Sequence, residues 1–466
     1  MFTYSFESQK ALYLQLYDAI KSDILSGRLP AGQKLPSKRA AAKHLGVSVI
    51  TVENAYAALQ SEGYLYSLPK RGFFVSEISM LAPPQPQRTL AASVSLPQTP
   101  HYRYDFSANA VNAENFPFSI WARLMRATLM RAQESMLSPS PAGGVEELKT
   151  AICSHLEQFR NMKVLPEQII IGAGTEYLYA LIVQLLGRDK LYAVQNPGYQ
   201  KIAKIYQSNG AACVYIEEDA EGISAAQLRQ SGADVVHVSP SHHFPSGTVM
   251  SAARRHELLY LTASAPGHYI IEDDYDSEFR LAGKPLPTLQ SLDNAESVIY
   301  VNTFSKSLSP GIRISYMVLP PHLVERFYGT LGFYACPVAT AEQYTLAAFI
   351  SQGYFEKHIN RMRNYYKKLR NAILGEIQNS PLSHTALVKE EEAGLHFLLR
   401  LRTQVPDAVL KEQAKSASVN ISFLSEYYLA QREAAPKHIL VMNYSAIKPE
   451  DVPAAIAALA EILRRS

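Results

Sequence analysis

Five short apolar runs, each closed by polar or turn-forming residues, constrain the fold of this 466-residue chain more than any other feature. They are QIIIGAG, KLYAVQNPG, ADVVHVSPS, HYIIEDDYD and SVIYVNTFS, and helix-like segments such as TEYLYALIVQLLG and YQKIAKIYQSNG lie between them. Strands that are apolar throughout must be covered on both faces. Their alternation with helices therefore predicts an α/β body with a parallel or mostly parallel sheet. In such sheets ligands bind beyond the carboxyl ends of the strands, so the polar residues closing these runs are where chemistry is expected. Beyond about residue 320 the pattern changes to long helices over 341–378 and short strands over 394–401 and 438–443. That change predicts a large lobe over about 140–320 and a smaller α/β lobe over 321–466.

Hydrophobic residues make up 47% of the chain and charged residues 19%, which supports large buried cores and excludes a disordered chain. No apolar run reaches the roughly 18 to 20 residues that cross a bilayer. The first residues lack the basic and then apolar pattern of a secretory signal. Cys153, Cys213 and Cys336 are odd in number and far apart, which excludes a disulfide framework and a CxxC-type zinc site. The expectation is a reduced, cytoplasmic protein without a metal centre. No internal repeat of fixed period is present, which argues against solenoids and propellers.

Residues 78–104 carry five prolines (83, 84, 86, 97 and 100) among few large apolar residues, the composition of a semi-extended linker. They separate a unit over 1–77 from the body over 105–466. Within residues 1–76, nine Lys/Arg face five Asp/Glu, although the whole chain is only +3. A basic excess confined to one end suits a small anion-binding module. Leu12, Leu16, Ile20 and Ile24 recur every four residues, predicting an amphipathic helix ended near Gly27. In LPSKRAAAKHLGVSVITVENAYAALQSEGYLYSLPKRGFFV, Ser37 is placed to cap a helix over 38–45. Gly46 and Val47 form a turn, and Ser48 caps a helix to about Ser61. Two short helices joined by a glycine turn predict a helix-turn-helix whose second helix fits the major groove. YLYSLPKRGFFV then reads as a two-stranded wing with Lys70 and Arg71 at its tip.

Over residues 10–76 the sequence resembles the winged helix-turn-helix of GntR-type regulators. The resemblance and the chemistry together assign Lys38, Arg39, Lys70 and Arg71 to phosphates of double-stranded operator DNA. They give Ser48, Thr51 and Asn54 base-edge or backbone contacts. The position after GVS, often Arg in that family, is Val49 here.

The body carries four motifs that fit one chemistry. In SVIYVNTFSKSLSPGIRISYMVLP, Lys306 follows a strand end and stands among Thr303, Ser305 and, seven residues on, Arg313. Hydroxyls and a guanidinium can surround a phosphate, and a lysine can condense with an aldehyde. HYIIEDDYDSEF brings a strand out into Asp273 and Tyr275, and a carboxylate against a pyridine nitrogen keeps that ring electron-withdrawing. IIIGAGTEYLY opens a helix at Thr175 after Gly172 and Gly174, a phosphate seat. In AVQNPGYQK, Tyr199 closes a strand and can stack on a flat ring.

Over about residues 105–460 these motifs, in this order, resemble the pyridoxal 5'-phosphate site of fold-type I aminotransferases. The resemblance implies that Lys306 forms the internal aldimine, Asp273 pairs with the pyridine nitrogen and Tyr275 bonds the ring oxygen. It further implies that Tyr199 stacks on the ring and that Gly174, Thr175, Thr303, Ser305 and Arg313 hold the phosphate. Two departures stand out. Where the family carries Asn before a Pro-Thr-Gly turn this chain has Phe244 in SPSHHFPSG, with His242 or His243 as substitutes. Where aminotransferases place an Arg that clamps the substrate carboxylate, this chain aligns Ala446. Lys201 and Arg402 are the candidate effector contacts, and Phe116, with Pro117 and Trp121, is expected to line the pocket mouth.

A GntR-type reader joined to an aminotransferase-like body resembles the MocR-type transcription regulators. That resemblance implies a head-to-tail homodimer and a regulator that senses an amine, amino-acid-like or B6-type effector through aldimine exchange at Lys306. Two other readings stay open: a regulator that senses the cofactor itself, and a working aminotransferase that carries a DNA-binding module.

Overall fold

A computed structural model describes residues 4, 6, 10–78, 100–107, 111–281, 286–389, 394–430 and 432–464. The chain divides into two compact units, Met1–Gln98 and Thr99–Ser466. Most of the stretch expected as a linker, residues 79–99, lies outside the described residues.

The first unit is a winged helix-turn-helix. Helices span Leu12–Leu25, Lys38–Leu45 and Val49–Ser61, followed by strands β1 (Leu65–Leu68) and β2 (Gly72–Val75). Ser37 accepts the Ala40 N–H at 3.2 Å and Ser48 the Thr51 N–H at 3.0 Å, each satisfying a donor that the first helical turn leaves free. Gly46 ends the middle helix at φ +67°, a left-handed conformation that costs glycine nothing. The strands pair antiparallel with Leu65 opposite Val75. Leu16, Ile20, Val52, Tyr56 and Leu59 are fully buried between the helices and the wing.

In the second unit the strands are β3 (Tyr104–Asp105), β4 (Ile169–Gly172), β5 (Leu191–Asn196), β6 (Ala212–Asp219), β7 (Gly222–Ile223), β8 (Val235–Val238), β9 (Tyr269–Asp273), β10 (Val298–Thr303) and β11 (Ser315–Val318). β12 (Ala386–Lys389), β13 (His396–Leu401), β14 (Val419–Asn420) and β15 (Ile439–Asn443) complete it. The main sheet runs β4-β11-β10-β9-β8-β5-β6-β7. From β10 to β6 every neighbour is parallel, while β11 is antiparallel to both β10 and β4, and β7 to β6. The five apolar runs form β4, β5, β8, β9 and β10, and β4, β8, β9 and β10 are buried along their whole length.

A smaller lobe holds the antiparallel sheet β12-β13-β15, and β14 pairs with β3 in parallel. Its core joins Phe397, Leu399 and Met442 to Tyr366, Leu459 and the early residue Phe106. The division differs from a boundary at 320/321. Leu323, Phe327 and Leu331 pack with Leu178 and Leu181 beside the large sheet, and Leu346 and Phe349 pack with Leu148 and Ile152. Past residue 320 the next residue of the small-lobe core is Met362, within the helix Tyr354–Asn379. The end of strand alternation near 320 marks the end of the main sheet, whereas its covering helices continue past that point. The long helices expected over 341–378 are Thr340–Ser351 and Tyr354–Asn379, separated at Gly353 (φ +71°).

Candidate functional site

The carboxyl ends of β4, β5, β8, β9 and β10 converge on one cavity of roughly 310 Å³, within the size range of small-molecule sites. Lys306 sits there in a single helical turn, Phe304–Ser307, that begins where β10 ends. Thr303 organises that turn. Its Oγ1 accepts the Ser305 N–H at 3.1 Å and the Ser315 hydroxyl at 2.7 Å, and donates to Ser305 Oγ at 2.9 Å. His358 donates from Nε2 to the Ser307 carbonyl at 2.8 Å, its Nδ1 accepting from Arg361 at 3.2 Å. Burial lowers that imidazole to about 4, so it stays neutral and keeps its donor hydrogen. The lysine itself is partly accessible from the cavity. Desolvation by the packed wall lowers its amine to about 8, with the Asp276 carboxylate acting in the opposite direction. A substantial neutral fraction near pH 7 to 8 is what a lysine nucleophile requires.

Asp273 lines the cavity from the end of β9. Its Oδ2 accepts the Tyr179 hydroxyl at 2.8 Å and lies 3.5 Å from His237 Nε2, while Tyr206 Oη stands 2.6 Å from His237 Nδ1. Its Oδ1 is buried with no hydrogen-bond partner. A buried carboxylate oxygen left unpaired is costly, which marks the place where a donor is expected. Tyr275 follows; burial and then the neighbouring Asp276 raise its phenol well above the ordinary range, so it remains a donor. Tyr199 lines the cavity half-exposed, its ring edge-on to Phe244 at 6.1 Å.

At the other end Gly174, φ +94°, precedes the helix Thr175–Leu186, whose first N–H groups have no side-chain cap. A Cβ on Gly174 would meet Arg313 Nη2 at 2.2 Å, so glycine lets the guanidinium lie against the helix start. Arg313 donates to the Ala173 carbonyl at 3.3 Å and lies 3.9 Å from Glu176. Free backbone donors, a helix dipole and a guanidinium make an anion seat.

The structure thus brings Lys306, Asp273, Tyr275, Tyr199, Thr175, Thr303, Ser305 and Arg313 to one cavity, with Gly174 at its edge. Other expected residues lie elsewhere. His242 is buried behind the wall, Nδ1 2.8 Å from Asp276 Oδ2 and 3.3 Å from the Tyr275 hydroxyl, with its ring against His396; the histidines on the cavity wall are His237, His243 and His396. Arg402 is exposed and absent from the cavity wall, as is Arg400, because both lie where the β13 strand faces or enters solvent. Phe116, partly buried, packs on Phe118 and Trp121 at the edge of the large-lobe core and is not among the described cavity residues. Lys201 does line it, ion-paired with Glu176. Among the described cavity residues Arg313 is the only guanidinium.

Comparison with known proteins agrees with both units. Residues 104–458 match the aminotransferase class I and II family, and residues 12–75 match the gntR family of bacterial regulatory proteins. The HTH-type transcriptional regulator YdeL of Bacillus subtilis is 36% identical over 96% of each chain. The probable rhizopine catabolism regulatory protein MocR of Rhizobium meliloti is 31% identical, over 96% of this chain and 93% of its own. The chain belongs to the MocR-type transcription regulators. A kynurenine aminotransferase from Pyrococcus horikoshii superposes on this MocR-type regulator with TM-score 0.68 at 24% identity, covering 79% of this chain and 92% of its own, which shows the shared fold.

The DNA reader of this MocR-type regulator presents its basic residues unevenly. Arg39, Lys70 and Arg71 are exposed, the last two at the wing turn. Lys38 is held by Glu53 at 2.6 Å. Asn54 is exposed, whereas Ser48 is the helix cap and Thr51 is half-buried with its hydroxyl 2.8 Å from Ser48 Oγ. No helix among the described residues is long and apolar enough to cross a membrane.

Proposed function

We propose that this DNA-binding regulator holds pyridoxal 5'-phosphate at Lys306 and responds to an amine or amino-acid-like effector at that site. One observation carries the reading: Lys306 and the unpaired Oδ1 of Asp273 belong to the same cavity, with an uncapped helix start and Arg313 at its other end. These groups fit the cofactor. Asp273 would hold a protonated ring nitrogen, Tyr275 would donate to the ring oxygen, and Tyr199 would lie against the ring. Gly174, Thr175, Ser305 and Arg313 would hold the phosphate, with Thr303 setting the loop. When bound, the cofactor supplies an aldehyde that condenses reversibly with primary amines.

The protein's own contribution is positional. Thr303 and His358 hold the turn that carries Lys306 at Ser305 and at Ser307. Tyr179 orients the Asp273 carboxylate and leaves one oxygen for the ligand. Lys306 would hold the cofactor's aldehyde carbon, and an amine bound in the same cavity would change the charge and shape that the surrounding side chains meet. A coupling of about 1–3 kcal/mol between such a change and the reader suffices to alter DNA affinity 5- to 150-fold.

Regulation without turnover is favoured because the described cavity offers no second guanidinium to clamp an amino-acid carboxylate, and Ala446 stands where one was expected. The same feature gives weight to a second reading, in which the cofactor alone is the signal. We place the protein in the cytoplasm as a head-to-tail homodimer. Spectral titration of the purified chain with pyridoxal phosphate and then a panel of amines tests the proposal. A visible band that forms with the cofactor and shifts with particular amines supports it. A band that persists unchanged in Lys306→Ala refutes it, and steady keto-acid release over many turnovers would make the protein an enzyme.

A further inference from the structure

The recognition helix Val49–Ser61 contains no lysine or arginine, and its one charged side chain, Glu53, is tied to Lys38. Guanine is most often read by Arg or Lys on its O6 and N7 atoms, so the helix lacks the groups for that contact. Its first turn exposes apolar surface instead: Val49 is 42% and Ile50 68% exposed. Neither belongs to the reader's core, which the same helix satisfies with Val52, Ala55, Tyr56 and Leu59. Exposed β-branched side chains in the opening turn are unexplained by packing. In this motif, however, the opening residues of the second helix are the ones brought to base edges.

The apolar feature of the major-groove edge is the C5-methyl group of thymine. Asn54, four residues after Ile50 and therefore on the same helix face, is exposed and carries the amide that bonds adenine N6 and N7 in bidentate fashion. Ser48 accepts the Thr51 N–H as the helix cap, and its hydroxyl lies beside that of Thr51, which engages both in the helix start. We propose that Val49 and Ile50 read thymine methyl groups and that, with Asn54, they make the recognition helix selective for A·T pairs. Affinity then comes from phosphate contacts by Arg39 and the wing, and base preference comes from apolar contact and one amide. The proposal rests on the DNA-reading role of the first unit.

The test starts with duplexes selected from a random library by the full-length protein. Thymines in the selected core are replaced singly by uracil, which removes only the methyl group. Loss of about two- to fivefold in affinity at one or two positions in each half-site is expected, the scale of one buried methyl. Ile50→Ala and Val49→Ala should abolish the thymine-over-uracil preference while keeping the residual, salt-dependent binding, with far-UV circular dichroism checking that the reader is folded. Cores rich in G·C, equal affinity for uracil at every position, or an unchanged preference in both variants would overturn the proposal. Failure to enrich any sequence would instead remove the reader's DNA role on which it rests.

Discussion

At the residue scale the packed wall of the cavity sets the charge state of one amine, that of Lys306. A lysine lowered to about 8 holds a neutral fraction that grows as pH rises through 8, well below the 10.5 of an exposed lysine. The rate at which pyridoxal phosphate attaches to the protein should therefore reach half its maximum near pH 8, followed by the visible band. Linkage has a definite sign here. Between about 8 and 10.5 the unfolded chain binds the proton and the folded chain does not, so this group's unfavourable contribution is fully present below 8 and fades as pH rises. Asp273→Asn keeps the shape but removes the charge, and cofactor retention should weaken roughly ten- to a hundredfold, as for loss of a charged hydrogen bond, in equilibrium dialysis. Lys306 and Asp273 were legible because each closes an apolar run, where polarity has no structural need. Tyr179 was not legible, since it sits inside an apolar helix and only the fold turns it toward Asp273. His237 carried a missed signal: one titratable residue within the otherwise apolar strand Val235–Val238.

At the element scale the reader is held by local devices that a sequence displays openly. Serine caps and a left-handed glycine are set by near neighbours, so the helices over 38–45 and from Ser48 to Ser61 could be read directly. Ser48→Ala should lower the reader's stability by about 1 kcal/mol, measured by chemical denaturation, because the Thr51 N–H then loses its acceptor. The small lobe was harder to delimit. Its core draws on Tyr104 and Phe106 from one end of the unit and on Leu459 from the other, contacts that no local periodicity encodes. The same limit explains Phe116 and Arg402. Family resemblance placed Phe116, and nearness in sequence Arg402, beside the pocket, but packing lays Phe116 against the large-lobe core and leaves Arg402 in solvent.

At the scale of the whole molecule, a gntR-type winged helix-turn-helix and an aminotransferase-like body share one chain, and each carries its motifs openly in the sequence. The electrostatic part can be isolated: Arg39→Ala should weaken binding to all duplexes alike and reduce the slope of log affinity against log salt by about 1. Filter binding across a salt series measures it. The covalent part is tested most directly by titrating one selected duplex against the full-length protein in three states: without cofactor, with pyridoxal phosphate, and with cofactor plus an amine that shifts its spectrum. Wild type should differ between states by 5-fold or more, and Lys306→Ala should bind with one affinity throughout. Identical state-dependence in Lys306→Ala, or one affinity for wild type in all three states, would contradict control of the reader through that lysine.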